Sequence, residues 1–73
     1  MNTEKLFKQL HTNIPHIQRF AIKLTKDFDT ARFLYQETAH QAIKNKHQLR
    51  EETLNEWLMT TMENTYSRLV QAN

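Results

Sequence analysis

The chain has no cysteine, no glycine and a single proline. Without cysteine there is no disulfide framework, thiolate nucleophile or Cys-type zinc site, and a cytosolic setting fits that composition. Without glycine, the turns and loops that cradle phosphates, close tight hairpins or build a nucleophile elbow have no residue to form them. Long apolar runs are missing too. Nowhere do 18 uncharged apolar residues follow one another, and Met1-Asn2-Thr3-Glu4-Lys5-Leu6 lacks the apolar core of a signal peptide, so no membrane partner is expected.

What remains is rich in alanine, leucine, glutamine, glutamate and lysine, the composition of an all-α bundle. A chain of 73 residues holds one domain with a modest core, and buries only about 60% of the surface its unfolded form exposes. The net charge of +2 is too small to imply a partner, but its distribution is uneven. Residues 1–50 carry nine Lys/Arg against four Asp/Glu, net +5, and residues 51–73 carry Arg68 against four glutamates, net −3.

The apolar spacing predicts three or four helices. Asn2 or Thr3 caps a short first helix with Leu6, Phe7 and Leu10 on one side. Asn13-Ile14-Pro15 reads as a restart, with Pro15 in a first turn and Ile14, Ile17, Phe20, Ala21 and Leu24 as the next stripe. Lys26-Asp27-Phe28-Asp29 is a polar joint whose aspartates can cap the following helix, Thr30 to Lys44. Its inward face is Ala31, Leu34, Tyr35, Thr38 and Ala42, with Arg32, Gln36, Glu37 and His40 outward and Phe33 apolar but off the stripe. Asn45 to Glu52 reads as a loop or frayed turn. Thr53-Leu54-Asn55-Glu56 then has the capping-box pattern and opens a last helix, which buries Leu54, Trp57, Leu58, Thr61, Met62, Thr65 and Leu69.

No catalytic constellation emerges, so the chain is not expected to be an enzyme and no cofactor is implied. Glu37 and His40 have the Glu-x-x-His spacing of ferritin-like ligand pairs, yet no other glutamate has a histidine three residues on. The four histidines never fall at the i,i+4 spacing of a helical zinc pair. Lys44, Lys46, His47 and Arg50 form a basic cluster before Trp57 and Tyr66, a pairing of phosphate neutralisation with stacking faces that suits nucleic acid. A solvated basic turn beside a core tryptophan is the plainer interpretation of the same residues, and a protein-binding or self-associating role fits as well.

The stretch Phe20-Ala21-Ile22-Lys23-Leu24-Thr25-Lys26-Asp27, continued by Phe28-Asp29-Thr30-Ala31-Arg32-Phe33-Leu34-Tyr35-Gln36-Glu37-Thr38, resembles region two of bacterial sigma factors, especially the extracytoplasmic-function group, which typically read ALRLTGD-x-x-DAEDLVQETF there. Further on, Glu56-Trp57-Leu58-Met59-Thr60-Thr61-Met62-Glu63-Asn64 is similar to the family's AWLFTIARN. The resemblance covers about residues 6 to 70. It implies a compact three- to four-helix domain that docks on the clamp helices of the RNA polymerase beta-prime subunit through Phe33, Leu34, Gln36 and Glu37. Phe33 stands where the family's Asp-Leu-x-Gln-Glu motif has aspartate.

The resemblance also implies promoter minus-ten contact through Lys44, Lys46, His47, Arg50, Asn64 and Arg68. Here the chain departs from the family: Glu63 stands where arginine is usual, and Leu69 to Asn73 replace a basic run. Four glutamates in this part weaken binding to a polyanion, because counterion release scales with the phosphates neutralised. Region four has no counterpart in these residues, so the expectation is a free-standing region-two-like protein, or else a fragment of a longer factor. An anti-sigma or other regulatory protein is the alternative partner.

Overall fold

The computed structural model describes residues 1–71. The described residues form three α-helices and two short 3-10 turns, without strands. Helix α1 spans Thr3–Thr25 and α2 spans Phe28–Lys44. The turns Lys46–Gln48 and Glu51–Thr53 then lead into α3, Leu54–Gln71.

Asn2 starts α1 as expected, its side-chain carbonyl accepting from the Lys5 N–H at 2.8 Å. The expected break at Asn13-Ile14-Pro15 does not occur: α1 runs through Pro15 without interruption. Packing carries it across: Leu6, Leu10, Ile17 and Ala21 make one continuous buried stripe, which favours a single rod. Within it, Thr12 and Asn13 donate from their side chains to the main-chain carbonyls of Lys8 and Gln9, at 2.9 and 2.8 Å. Asn13 is therefore an interior residue of the helix rather than a cap. Pro15 is exposed to solvent.

Lys26 closes α1 in the left-handed conformation, with φ 58° and its N–H bonded to the Ile22 carbonyl at 2.7 Å. A residue with a Cβ takes this place in a chain that has no glycine. Asp27 follows at once as the cap of α2, accepting from the N–H and hydroxyl of Thr30 at 2.8 and 2.6 Å. Those bonds, the hydroxyl's first, hold the Asp27 carboxyl below the usual carboxylate range. With so short a joint, α1 and α2 fold back as an antiparallel hairpin.

The far end of the hairpin is tied together. The Met1 amine donates to the Lys46 carbonyl at 2.7 Å, and the Lys46 ammonium donates to the Thr3 hydroxyl. Lys5 pairs with Glu51 at 2.9 Å, and Gln9 donates to the same carboxylate at 2.9 Å. The stretch expected as a loop is thus an ordered pair of turns, with Leu49 buried beneath it. Thr53 closes the second turn directly before α3, and no hydrogen bond joins it to Glu56, so the capping box is not formed; the turn runs straight into α3.

Helix α3 lies across the hairpin. Leu54, Leu58 and Met62 are fully buried with Leu6 and Leu34, and each leucine contributes about 1.5–3 kcal/mol relative to exposure. The buried Thr38 hydroxyl donates to the Leu34 carbonyl at 2.8 Å, and no buried side-chain polar atom among the described residues lacks a partner. None of the described helices is long and apolar enough to cross a membrane.

Candidate functional site

The outward residues of α2 form the first candidate surface. Positions 33, 36, 37, 40 and 44 fall on one side of a helix with 3.6 residues per turn. Phe33 is half exposed, Gln36, His40 and Lys44 are exposed, and Glu37 is half-buried. Neither Gln36 nor Glu37 makes a side-chain hydrogen bond or ion pair to another described residue. Both are free to meet an external partner.

Leu34 does not belong to this surface. Its side chain is 1% exposed and packs in the core, because it lies about 100° around the helix from Phe33. A contact face on α2 therefore consists of Phe33, Gln36 and Glu37, and Leu34 holds the helix that presents them.

The expected nucleic-acid residues separate into two places. Lys44 ends α2, and Lys46, His47 and Arg50 lie in the turns that follow. Lys46 is half-buried and committed to Thr3, so it is not a free cation. Arg50 lines a shallow cleft with Lys5, Glu51 and Glu52, whose carboxylates offset its charge. Trp57 lines a separate surface dip with Thr53, Glu56 and Thr60. Trp57 and the basic turn therefore do not line one common cleft.

On α3, the spacings i, i+7 and i+11 put Trp57, Asn64 and Arg68 along one ridge. Asn64 and Arg68 are exposed, and the Arg68 guanidinium reaches the Thr65 hydroxyl at 3.5 Å, as the Gln41 amide does from α2. Glu56 and Glu63 flank this ridge on the same helix, both exposed. A nucleic acid on this ridge would meet one cation, one amide and the half-buried tryptophan, with two negative charges along one flank.

Two surfaces were missed by inspection of the sequence. One is a groove between α1 and α2 in two parts that share Tyr35: Ile22, Phe28 and Ala31 line one with Gln18 and Arg32, and Ile14, Ile17 and Ala39 line the other with Gln36. Phe28, 77% exposed, stands at its end. The other is the solvent face of α1, on which Lys8, Arg19, Lys23 and Lys26 lie together. The four- and three-residue steps from Arg19 to Lys26 were visible, but the assumed break at Pro15 cut the pattern in two. Among the described residues no three His, Asp or Glu side chains converge as a metal site.

Comparison with known proteins finds no matching protein family, no matching curated protein and no matching solved structure.

Proposed function

We propose that this chain is a transcription protein resembling sigma factor region two, docking on the beta-prime clamp of a bacterial RNA polymerase through the outer face of α2. The observation that carries this reading is the pair Gln36 and Glu37, exposed and half-buried, unpartnered and adjacent to Phe33 on one helix face. These are the positions at which the resemblance puts polymerase-facing residues. Phe33 adds an apolar anchor where the family has a carboxylate, a change that alters the chemistry of the contact rather than its place. The same reading makes the protein cytoplasmic, where polymerase works.

Promoter contact in this proposal is weak. Trp57, Asn64 and Arg68 supply a stacking edge, an amide and a cation, but Glu56 and Glu63 beside them repel phosphate. Polymerase binding is the dominant activity and base reading the lesser one.

The test is retention on an immobilised beta-prime clamp fragment, wild type beside Gln36→Ala/Glu37→Ala. Wild type is retained and the double variant is lost. Retention of neither protein, or of both equally, refutes the docking.

A second reading is favoured by the groove between α1 and α2: a helical interaction module that binds another regulator or a second copy and no longer touches promoter DNA. Fluorescence anisotropy with a non-template minus-ten single strand separates the two. Salt-sensitive, sequence-dependent binding tighter than about 10 μM, the middle of the range of non-specific contacts, excludes this module reading.

A further inference from the structure

Helix α1 carries four fixed cations on the side directly opposite its buried stripe. Lys8, Arg19, Lys23 and Lys26 are all exposed, and none has an ion-pair partner among the described residues. At 3.6 residues per turn Lys8, Arg19 and Lys23 lie within about 60° of one another, with Lys26 following at the left-handed cap, whereas Leu6, Leu10, Ile17 and Ala21 face the other way. Thr12 and Pro15 occupy the middle of the stripe and carry no charge. From Lys8 to Lys26 the rod extends about 27 Å, at 1.5 Å per residue.

Acidic groups near the two ends are already engaged. At the first end Glu51 is held by Lys5 and Gln9. At the other Asp27 caps Thr30, and Asp29 pairs with Arg32 at 3.3 Å. Only Glu4, in the first turn, puts a carboxylate on α1 itself. An ordinary solvated helix face mixes both signs, and this one carries only cations from Lys8 to Lys26, grouped at its two ends.

We infer that the solvent face of α1 is a binding surface for the phosphate backbone of duplex DNA, without sequence preference. The chemistry selects the ligand. A row of cations about 27 Å long is matched by about eight base pairs of duplex, whose two strands together place one negative charge per about 1.7 Å of axis. Single strands need aromatic faces for base stacking, and the stripe between Lys8 and Lys26 contains none. A membrane surface needs an apolar wedge set among the cations, yet the stripe's centre is Thr12 and Pro15, and Ile22, 36% exposed, is the single large apolar side chain beside Arg19 and Lys23. The surface is separate from the α2 face and from the Trp57 ridge, so the inference stands independently of which protein α2 meets.

The experiment is fluorescence anisotropy with a labelled duplex of arbitrary sequence and about 20 base pairs, more than twice the stripe's length. The wild type binds at low salt, and log Kd varies linearly with log salt. Lys8→Gln/Arg19→Gln/Lys23→Gln binds at least tenfold more weakly at about 50 mM salt, with a slope shallower by about 2 to 3. The three positions are exposed, and helicity by circular dichroism verifies that the variant is folded. Lys44→Gln/His47→Gln/Arg50→Gln changes affinity less than threefold.

Equal binding by the α1 variant and wild type overturns the inference, as does a larger loss in the turn variant. Absence of duplex binding by wild type also overturns it, whether or not vesicles of phosphatidylcholine and phosphatidylglycerol retain the protein. Clamp retention keeps the outcomes apart: the α1 variant still binds the clamp, and Gln36→Ala/Glu37→Ala still binds the duplex.

Discussion

Phe33 and Leu34 are neighbours in sequence and opposites in environment: Phe33 is 50% exposed on the outside of α2, and Leu34 is 1% exposed in the core. One residue is available to a partner and the other holds the helix in place. Their substitutions therefore have different signatures. Leu34→Ala leaves a cavity and costs about 2–5 kcal/mol, enough to unfold much of a domain this small. Phe33→Ala shifts stability by no more than about 0.5 kcal/mol, as surface changes do, but weakens clamp retention. Chemical denaturation of both variants, beside the clamp assay on Phe33→Ala, checks the pair. A strongly destabilised Phe33→Ala would mean that Phe33 packs inward.

Asp27 makes the stability of α2 depend on pH. Its carboxyl is held below the ordinary range by the Thr30 hydroxyl and N–H, so the folded state favours the ionised form. A depressed folded-state value gives stability that is present above the ordinary carboxylate pKa and lost as pH falls through the lower, folded one. Near neutral pH, Asp27→Ala lowers Tm by about 5 °C, the usual consequence of losing a cap in a chain of this size. The gap between wild type and variant narrows below about pH 4. Thermal melts followed by circular dichroism at neutral and acid pH test this, and a gap independent of pH would contradict it.

Periodicity made the helical class, the second helix and most of the core legible, because Leu6, Leu10, Ile17, Leu34, Leu58 and Met62 repeat at the helical period. The order of the turns after α2 was not legible. It depends on contacts such as Met1 with Lys46 and Gln9 with Glu51, which join residues more than 40 positions apart. Local signals also misled where tertiary packing overrode them, at Pro15 and at the Thr53 capping box. Gln36 and Glu37 were readable as outward residues. Of the cationic stripe, Arg19, Lys23 and Lys26 follow from local spacing, and Lys8 joins them only because α1 is one rod.

That continuity can be tested at Pro15. Inside a helix the ring removes the N–H that would bond to the His11 carbonyl and crowds that carbonyl, a cost of about 3 kcal/mol in a regular helix. Burial of Leu10 and Ile17 on either side outweighs that cost, which the protein still bears. Pro15→Ala restores the missing bond at an exposed position, against a smaller loss because alanine leaves the unfolded chain freer. The net expectation is a gain of about 1–2 kcal/mol, measured by urea unfolding. If Pro15 instead began a separate helix, its replacement would be neutral or destabilising.

Lys26 offers a test in which stability and binding move in opposite directions. Its left-handed backbone places a Cβ against the following carbonyl, which costs roughly 1–2 kcal/mol that glycine avoids. Lys26→Gly therefore raises stability by about 1 kcal/mol after the greater freedom of glycine in the unfolded chain is counted. Lys26→Ala gives no such gain, because alanine keeps the Cβ. Both variants remove one cation from the end of the α1 stripe, so both flatten the salt dependence of duplex binding by about 0.9. A more stable protein that binds DNA less well would separate the backbone role of Lys26 from its charge. If glycine and alanine behaved alike in denaturation, the closing turn of α1 would not be strained; if neither changed the salt slope, Lys26 would lie outside the DNA-binding stripe.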